Sequence, residues 1–493
     1  MIINFYTCKS NKFPSTKINL VLKNFLHADI LRDLILQLQK NYTRMNTKSD
    51  TLKGQLKSLT TPIFIEIALV MLLGAVDTVM LSHLEVNSDN AVAAVGVDNQ
   101  IISLVFLIYQ FISMGAAIVC AQYIGAGLKK RLVQVVGIAV IINLLVGLSV
   151  SAFIFFNAQS LLDLMGLRPE LMDDGLKYLK ITGSFSFFQA VSLAFSASLR
   201  SANLAKYPMR ITLIVNLVNI LGNYALIFGH FGLPALGVEG AAYSTSVSRF
   251  VSMVLLIIVH TKKHIGKFPL EYFRPFPWKE LKNVLKIGIP AAGEELSYCS
   301  SQVVITYFIN KLGNDALTAR TLCANAIMFV NLFVCSIVQG GDILVGHLVG
   351  QNKNAAAYTM GNYIFKWAML ITLIVSFTLA LLGNTLLQFL TQNPEIIRVG
   401  TVIFFIDVVL SIGRVSNIFA VGTLRSTGDA IFPVLIGISF QWVIAVGFSY
   451  FLGIPMGFGL IGMWIGFACD ENLRGIVLMK RWHSLKWQGK NVI

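Results

Sequence analysis

Leu199-Arg200-Ser201-Ala202-Asn203-Leu204-Ala205-Lys206-Tyr207-Pro208 and Leu424-Arg425-Ser426-Thr427-Gly428-Asp429-Ala430-Ile431-Phe432-Pro433 both open Leu-Arg-Ser and reach a proline nine residues on, at an offset of 425 − 200 = 225. The same offset carries Gln122 in AQYIGAGLKKR onto His347 in GHLVGQNKNAA, and Ala91-Val92-Ala93-Ala94 onto Ala316-Leu317-Thr318-Ala319. With small slips in the loops, Pro62-x-x-x-Glu66 falls on Pro290-x-x-x-Glu294, and Leu236-Gly237-Val238-Glu239-Gly240 falls on the segment 457–462. One register held over so long a stretch reads as two copies of one ancestral unit.

That unit is a set of membrane spans. Of 493 residues, 55% are apolar and 13% charged, with mean hydropathy +0.71, outside the balance of a soluble domain. Apolar runs of about twenty residues, enough for a roughly 30 Å hydrocarbon core, fall near 60–84, 91–119, 132–157, 176–199, 207–230 and 238–260. Six more fall near 284–309, 316–345, 360–386, 396–422, 432–453 and 458–482. The fold expected is all-α, with twelve transmembrane helices in two six-helix lobes. An even number of spans per copy gives both copies the same orientation, so a pseudo-two-fold axis runs along the membrane normal.

The net charge of +15 is placed in a way that speaks against nucleic acid as a partner. Lys129, Lys130 and Arg131 share one face with Arg200, Lys206 and Arg210, with the basic connection around Lys262, Lys263, Lys267, Arg274, Lys279, Lys282 and Lys286, and with Lys480, Arg481, Lys486 and Lys490. The opposite loops hold only a few basic residues, such as Arg168, Lys177, Lys180, Lys311, Arg320 and Arg398. The positive-inside rule then predicts cytoplasmic termini. Six cysteines and seven histidines show no metal-ligand spacing. No nucleophile motif or phosphate loop is present either, so the chain reads as neither a metal-binding protein nor an enzyme.

The expected organisation is a cytoplasmic extension over 1–55, an N-lobe over 56–260, a cytoplasmic connection over 261–283, a C-lobe over 284–482 and a tail over 483–493. Within the extension, apolar residues between Ile18 and Leu38 recur near helical spacing. They suit an interfacial helix, although Met45 would also serve as a start and leave them dispensable.

Polar residues inside the spans are the functional candidates. Asp77 lies about three-quarters of the way along the first helix, where a charge costs roughly 2.5–3.5 kcal/mol on insertion scales. Asn216, Asn219 and Asn223 recur at three and four residues and share a face of the fifth helix. Arg249 of the sixth helix is expected to bridge Glu66. In the second copy, Glu294 and Glu295 follow Pro290, and Asp407 and Arg414 stand two turns apart on the tenth helix; an ion pair from Arg414 to Glu294 or Glu295 is expected. Asp470 and Arg474 are spaced to pair within the twelfth helix. The fourth helix carries Phe185, Phe188 and Phe195, which would offer apolar and π surface to an organic cation if they faced a cleft.

Taken together, PIFIEIALVMLLGAVDTVML, AVAAVG, the paired Leu-Arg-Ser segments, GNYALIFG and LGVEGAAYSTSVSR resemble the multidrug and toxic compound extrusion (MATE) transporters. The resemblance spans roughly 56–485. It implies an antiporter that spends an inward H+ gradient, or an Na+ gradient as second choice, to expel amphipathic, often cationic drugs by alternating access; the compact loops and short tail point to a bacterial inner membrane, and a monomer is expected. On this resemblance Asp77 matches the coupling residue of the amino-terminal lobe, Asn219 and Asn223 its neighbours, and Pro62 a proline associated with bending of the first helix. Sodium-coupled members carry an acid where Arg414 stands, so a cation site of that kind is not expected in the C-lobe. A lipid-linked precursor flippase of the same superfamily is the alternative, kept by Arg249, Arg414 and Arg474.

Overall fold

In a computed structural model of the chain, residues 52–84, 88–264 and 268–493 are described. The expected helix between Ile18 and Leu38, and Lys267, lie outside them. Helices account for the described architecture. In the first copy they are α1 (Leu52–Ser82), α2 (Ser88–Gly125), α3 (Lys129–Leu164), α4 (Met172–Ser184), α5 (Phe187–Ser201), α6 (Lys206–Phe228) and α7 (Val238–Lys263). In the second they are α8 (Trp278–Asn310), α9 (Asn314–Gly350), α10 (Asn354–Leu390), α11 (Pro394–Ser426), α12 (Ile431–Phe440), α13 (Gly447–Gly453) and α14 (Gly459–His483).

Nine passes among the described residues are long and apolar enough to cross a membrane by length and composition. Three more complete the expected twelve and fall short for identifiable reasons. The fourth is divided between α4 and α5, while α8 and α14 carry Glu294, Glu295, Asp470, Glu471 and Arg474 in their interiors. The outward surface is that of a lipid-facing protein: Phe156 is 80% exposed, Leu164 83% and Phe389 88%. Helices satisfy their own backbone groups, which hydrocarbon requires.

Two passes are irregular where the sequence reads as continuous. Between α4 and α5 the helix breaks at Phe185 and Ser186, and the break is filled by side chains: Ser186 Oγ meets Tyr109 Oη at 2.8 Å and Ser151 Oγ at 3.0 Å. Between α12 and α13 a π-helical turn, Gln441–Val446, widens the eleventh pass. Gln441 Oε1 there accepts from Ser297 Oγ of α8 at 2.9 Å. By contrast α1 runs unbroken through Pro62, although proline cannot donate the bond to the carbonyl four residues back.

The repeat is most exact at the basic end of the molecule. The turns after α2 and α9 place Gly127 (φ 71°) and Asn352 (φ 58°) in the left-handed region, and those after α5 and α11 place Asn203 (φ 60°) and Gly428 (φ 95°) there. Each turn closes with the same six-residue backbone bond, to the carbonyls of Tyr123, Leu348, Leu199 and Leu424, the helix stop that a left-handed residue permits. The two copies then cross over one another. Gln122 Nε2 donates to the Ser426 carbonyl at 2.8 Å, and His347 Nε2 meets the Ser201 carbonyl at 2.7 Å, so each copy grips the Leu-Arg-Ser segment of the other. A Cβ on Gly125 would come within 2.1 Å of the His347 carbonyl oxygen, and one on Gly350 within 2.1 Å of the Gln122 carbonyl oxygen. Only glycine fits either crossing.

The tail, which the sequence suggests only as a polar end, joins this closure. Trp487 is buried against Trp482 with ring centroids 4.9 Å apart, and Asp429 holds both Arg481 (2.9 Å) and Lys490 (2.8 Å). The Val492 amide then donates to Gln122 Oε1 at 2.9 Å, and its carbonyl accepts from Asn283 Nδ2 at 3.1 Å. Residues of the second copy are thereby tied under α2 of the first. Gly350→Ala is expected to destabilise this closed arrangement by roughly 1–3 kcal/mol, the usual cost of overpacking. Thermal unfolding of the purified protein measures it, and Gly293→Ala, where a Cβ meets nothing within 4 Å, is the control.

Candidate functional site

The Leu-Arg-Ser arginines and the Pro-x-x-x-Glu glutamates, two motifs far apart in sequence, are partners in both copies. Arg200 Nη1 lies 3.2 Å from Glu66 Oε1, and Arg425 Nη2 lies 2.6 Å from Glu294 Oε2. This corrects two expectations. Glu66 pairs with Arg200 and not with Arg249; Glu294 pairs with Arg425 and not with Arg414.

The N-lobe gathers a polar chain around Asp77. Asn223 Nδ2 donates to Asp77 Oδ1 at 2.7 Å and to Asn219 Oδ1 at 3.1 Å. Asn219 Nδ2 reaches Thr245 Oγ1 of α7 at 3.4 Å. Ser244, the residue before, donates to the Asn219 carbonyl at 2.9 Å. Asp77 is half-buried, and Asn223 Oδ1 is buried without a donor. A carboxylate beside an amide oxygen without a donor is a set of acceptors whose chemistry suits a proton or a sodium ion. Arg249 lies within electrostatic reach of Asp77, donates to the Thr182 carbonyl at 3.3 Å and lies over the Phe106 ring at 4.9 Å. Thr245 escapes a reading of the sequence because it sits in a run of small residues. Its one signal is the i, i+4 spacing to Arg249.

Other candidates have local tasks. Asn216 Nδ2 donates to the Leu69 carbonyl at 2.8 Å and so pins α6 to α1. Phe195 is 4% exposed and packs edge-on to His260 at 4.9 Å, which places it in the packing of the lobe and not on a cleft wall. Phe185 and Phe188 stack at 5.8 Å, and Phe188 meets Phe250 of α7 at 5.2 Å; their ring contacts run to α7, none to the Asp77 group.

In the C-lobe, charge is neutralised internally. Arg414 grips Asp407 with both terminal guanidinium nitrogens, at 2.8 and 3.4 Å, and Ser411 Oγ adds a contact to the same carboxylate at 3.3 Å. Arg474 binds Glu471 at 2.8 Å and Asp470 at 3.0 Å, the latter as the spacing on the twelfth pass predicts, and Asn417 Nδ2 donates to Glu471 Oε2 at 2.9 Å. Glu295 is exposed, and no ion pair among the described residues includes it. Tyr298, a residue the sequence gives no reason to choose, stands within electrostatic reach of Glu471, Arg414, Glu295 and Arg474 and is 42% exposed. Two carboxylates and two guanidiniums thus surround a partly exposed aromatic ring.

Two repeated six-pass lobes, each enclosing a polar group amid apolar helices, define a multi-pass membrane transporter. The MatE family model matches residues 62–225 and 290–451, one match in each copy, and the chain belongs to this family. It is 40% identical to the uncharacterized transporter YisQ of Bacillus subtilis over 88% of this chain and 95% of that protein. It is 28% identical to a probable multidrug resistance protein NorM of Thermotoga maritima over 92% of this chain and 97% of that one. A solved outward-facing multidrug resistance MATE family transporter superposes with a TM-score of 0.80 at 20% identity, covering 90% of this chain and 98% of that one, and has the same fold.

Removing one partner of a buried ion pair leaves the other charge uncompensated, at a cost of roughly 3–5 kcal/mol. Asp407→Asn is therefore expected to lower the melting temperature of the purified protein sharply, and Asp407→Asn with Arg414→Gln to recover most of the loss.

Proposed function

We propose that the chain exports amphipathic, cationic organic compounds in exchange for H+ by alternating access, with Asp77 as the coupling residue and Na+ as the second choice of ion. The observation that carries this reading is the Asp77 group: one half-buried carboxylate, held by Asn223 at 2.7 Å beside an acceptor that has no donor. Protonation or cation binding there changes the charge of the N-lobe interior. A ligand drives a conformational cycle only through such a difference in affinity between states. Arg414 supports the same reading from the other lobe, because its guanidinium already occupies Asp407 and acts as a tethered cation where a sodium ion would otherwise be drawn.

The basic end, by the positive-inside rule, faces the cytoplasm with both termini, in the inner membrane of a bacterium, and the protein works as a monomer. Closure of that end by the Gln122 and His347 crossings supports an outward-open state here. Pro62, which removes a backbone bond from α1, is the candidate point of bending for that helix. Tyr298 offers a π face, and Glu295, which no ion pair among the described residues includes, offers a carboxylate to an organic cation. The name of the NorM relative, a probable multidrug resistance protein, agrees with substrates of this kind. A flippase for a phosphate-bearing lipid would want free cationic groups; Arg414 and Arg474 are both engaged by carboxylates, and Arg249 donates to the Thr182 carbonyl and lies over the Phe106 ring.

Everted vesicles supply the test, with ethidium uptake followed under a proton gradient alone and a sodium gradient alone. Proton-driven uptake is expected in the intact protein and background uptake in Asp77→Asn. Sodium-driven uptake that survives Asp77→Asn would overturn the assignment of Asp77.

A further inference from the structure

The Asp77 group leaves one buried acid of the N-lobe unused. Asp98 of α2 is 0% exposed, and neither of its carboxylate oxygens has a hydrogen-bond partner. A Cβ on Gly175 of α4 would come 3.7 Å from Asp98 Oδ1, with Leu162 and Leu167 against the same position, and both leucines belong to an apolar cluster of α2, α3 and α4. Burying an ionised carboxylate without a partner is costly, and a proton is the smallest cation that offsets the charge.

Its charged surroundings are few. From α4, Tyr178 lies within electrostatic reach of Asp98, and Tyr178 is likewise within reach of Asp77 of α1 and Arg249 of α7. Nearby on α3, on the turn Pro169–Leu171 and on the start of α4, Asp163, Arg168, Glu170, Asp173 and Lys177 are exposed and Asp174 is half-buried. The helices α5, α8 and α9 meet α2 further toward its basic end. There Ser201 bonds the Ala117 carbonyl, Gly115 crosses Gly288, and Gly125 crosses His347.

We infer that Asp98 is a second proton-binding carboxylate of the N-lobe, sharing Tyr178 with Asp77 as common neighbour. The inference rests on the reading of Asp77 as the coupling residue. While the basic end is closed, each carboxylate takes a proton from water on the far side and forms one O–H bond. When that end opens, the bond breaks, the proton leaves to water on the basic side and the carboxylate remains.

Infrared difference spectroscopy of the full chain in phosphatidylglycerol nanodiscs at neutral pH tests this directly. The carboxylic acid C=O band of a group without hydrogen bonds is expected in the intact protein and in Asp77→Asn, and is lost in Asp98→Asn. Gly175→Ala, which keeps the acid and changes what touches it, shifts the same band and decides the matter should Asp98→Asn fail to fold. In proteoliposomes the number of protons moved per ethidium is halved by Asp98→Asn. A spectrum unchanged by Asp98→Asn, or by Gly175→Ala alone, would overturn the inference, as would an unchanged proton ratio. Absence of proton-driven uptake in the intact protein would instead refute the coupling reading, and the infrared band would still report on Asp98.

Discussion

One ion pair, made twice, organises this molecule. In each copy a glutamate one turn beyond a proline on the first pass takes the arginine of Leu-Arg-Ser at the end of the fourth, as Glu66 with Arg200 and as Glu294 with Arg425. A pair of this sort adds little net stability over apolar packing, yet losing either member is costly. Its value is positional. It fixes where the backbone of Ser201 and Ser426 emerges, and those carbonyls are what His347 and Gln122 of the opposite copy grip. Pairing within each lobe and closure between lobes are therefore mechanically continuous.

Seen from that closure, the two lobes have diverged in their interiors while keeping one frame. The first leaves Asp77 to a neutral amide and a half-buried position. The second binds Asp407 to Arg414 and Asp470 and Glu471 to Arg474. Coulomb attraction in a confined interior is strong, and Asp77 has no ion-pair partner among the described residues, with Arg249 within electrostatic reach. Equivalent positions in a duplicated protein need not keep equivalent chemistry, and here the difference is drawn by arginine.

Much of this was legible in the sequence because it rests on spacing. The offset of 225 marks Gln122 and His347 as equivalents, and the apolar runs give the passes. Both motifs of the central ion pair can be seen as repeats. What spacing cannot say is that they touch each other, since partners from different helices are chosen by packing. Arg414 is the clearest case. Depth alone suggests Glu294, but Asp407 on the same helix, with Ser411 between, reaches it at lower cost in ordering. Asn216 and Phe195 illustrate the reverse limit. A polar stripe or an aromatic row looks the same in sequence whether it lines a cleft or secures a neighbouring helix. The break at Ser186 was hidden because serine is unremarkable inside a span. The hydroxyls of Tyr109 and Ser151 that make the break tolerable lie on other passes.

The buried Trp487 and the strand of chain beyond it have a consequence for biogenesis. Residues 484–493 reach back to Gln122 on the second pass, so the tie beneath the lobes cannot form until both have left the ribosome. Until then α2 offers an unmatched glutamine at the membrane edge, and the nascent first half lacks its partner for closure. The protein thus assembles its halves before it can fasten them.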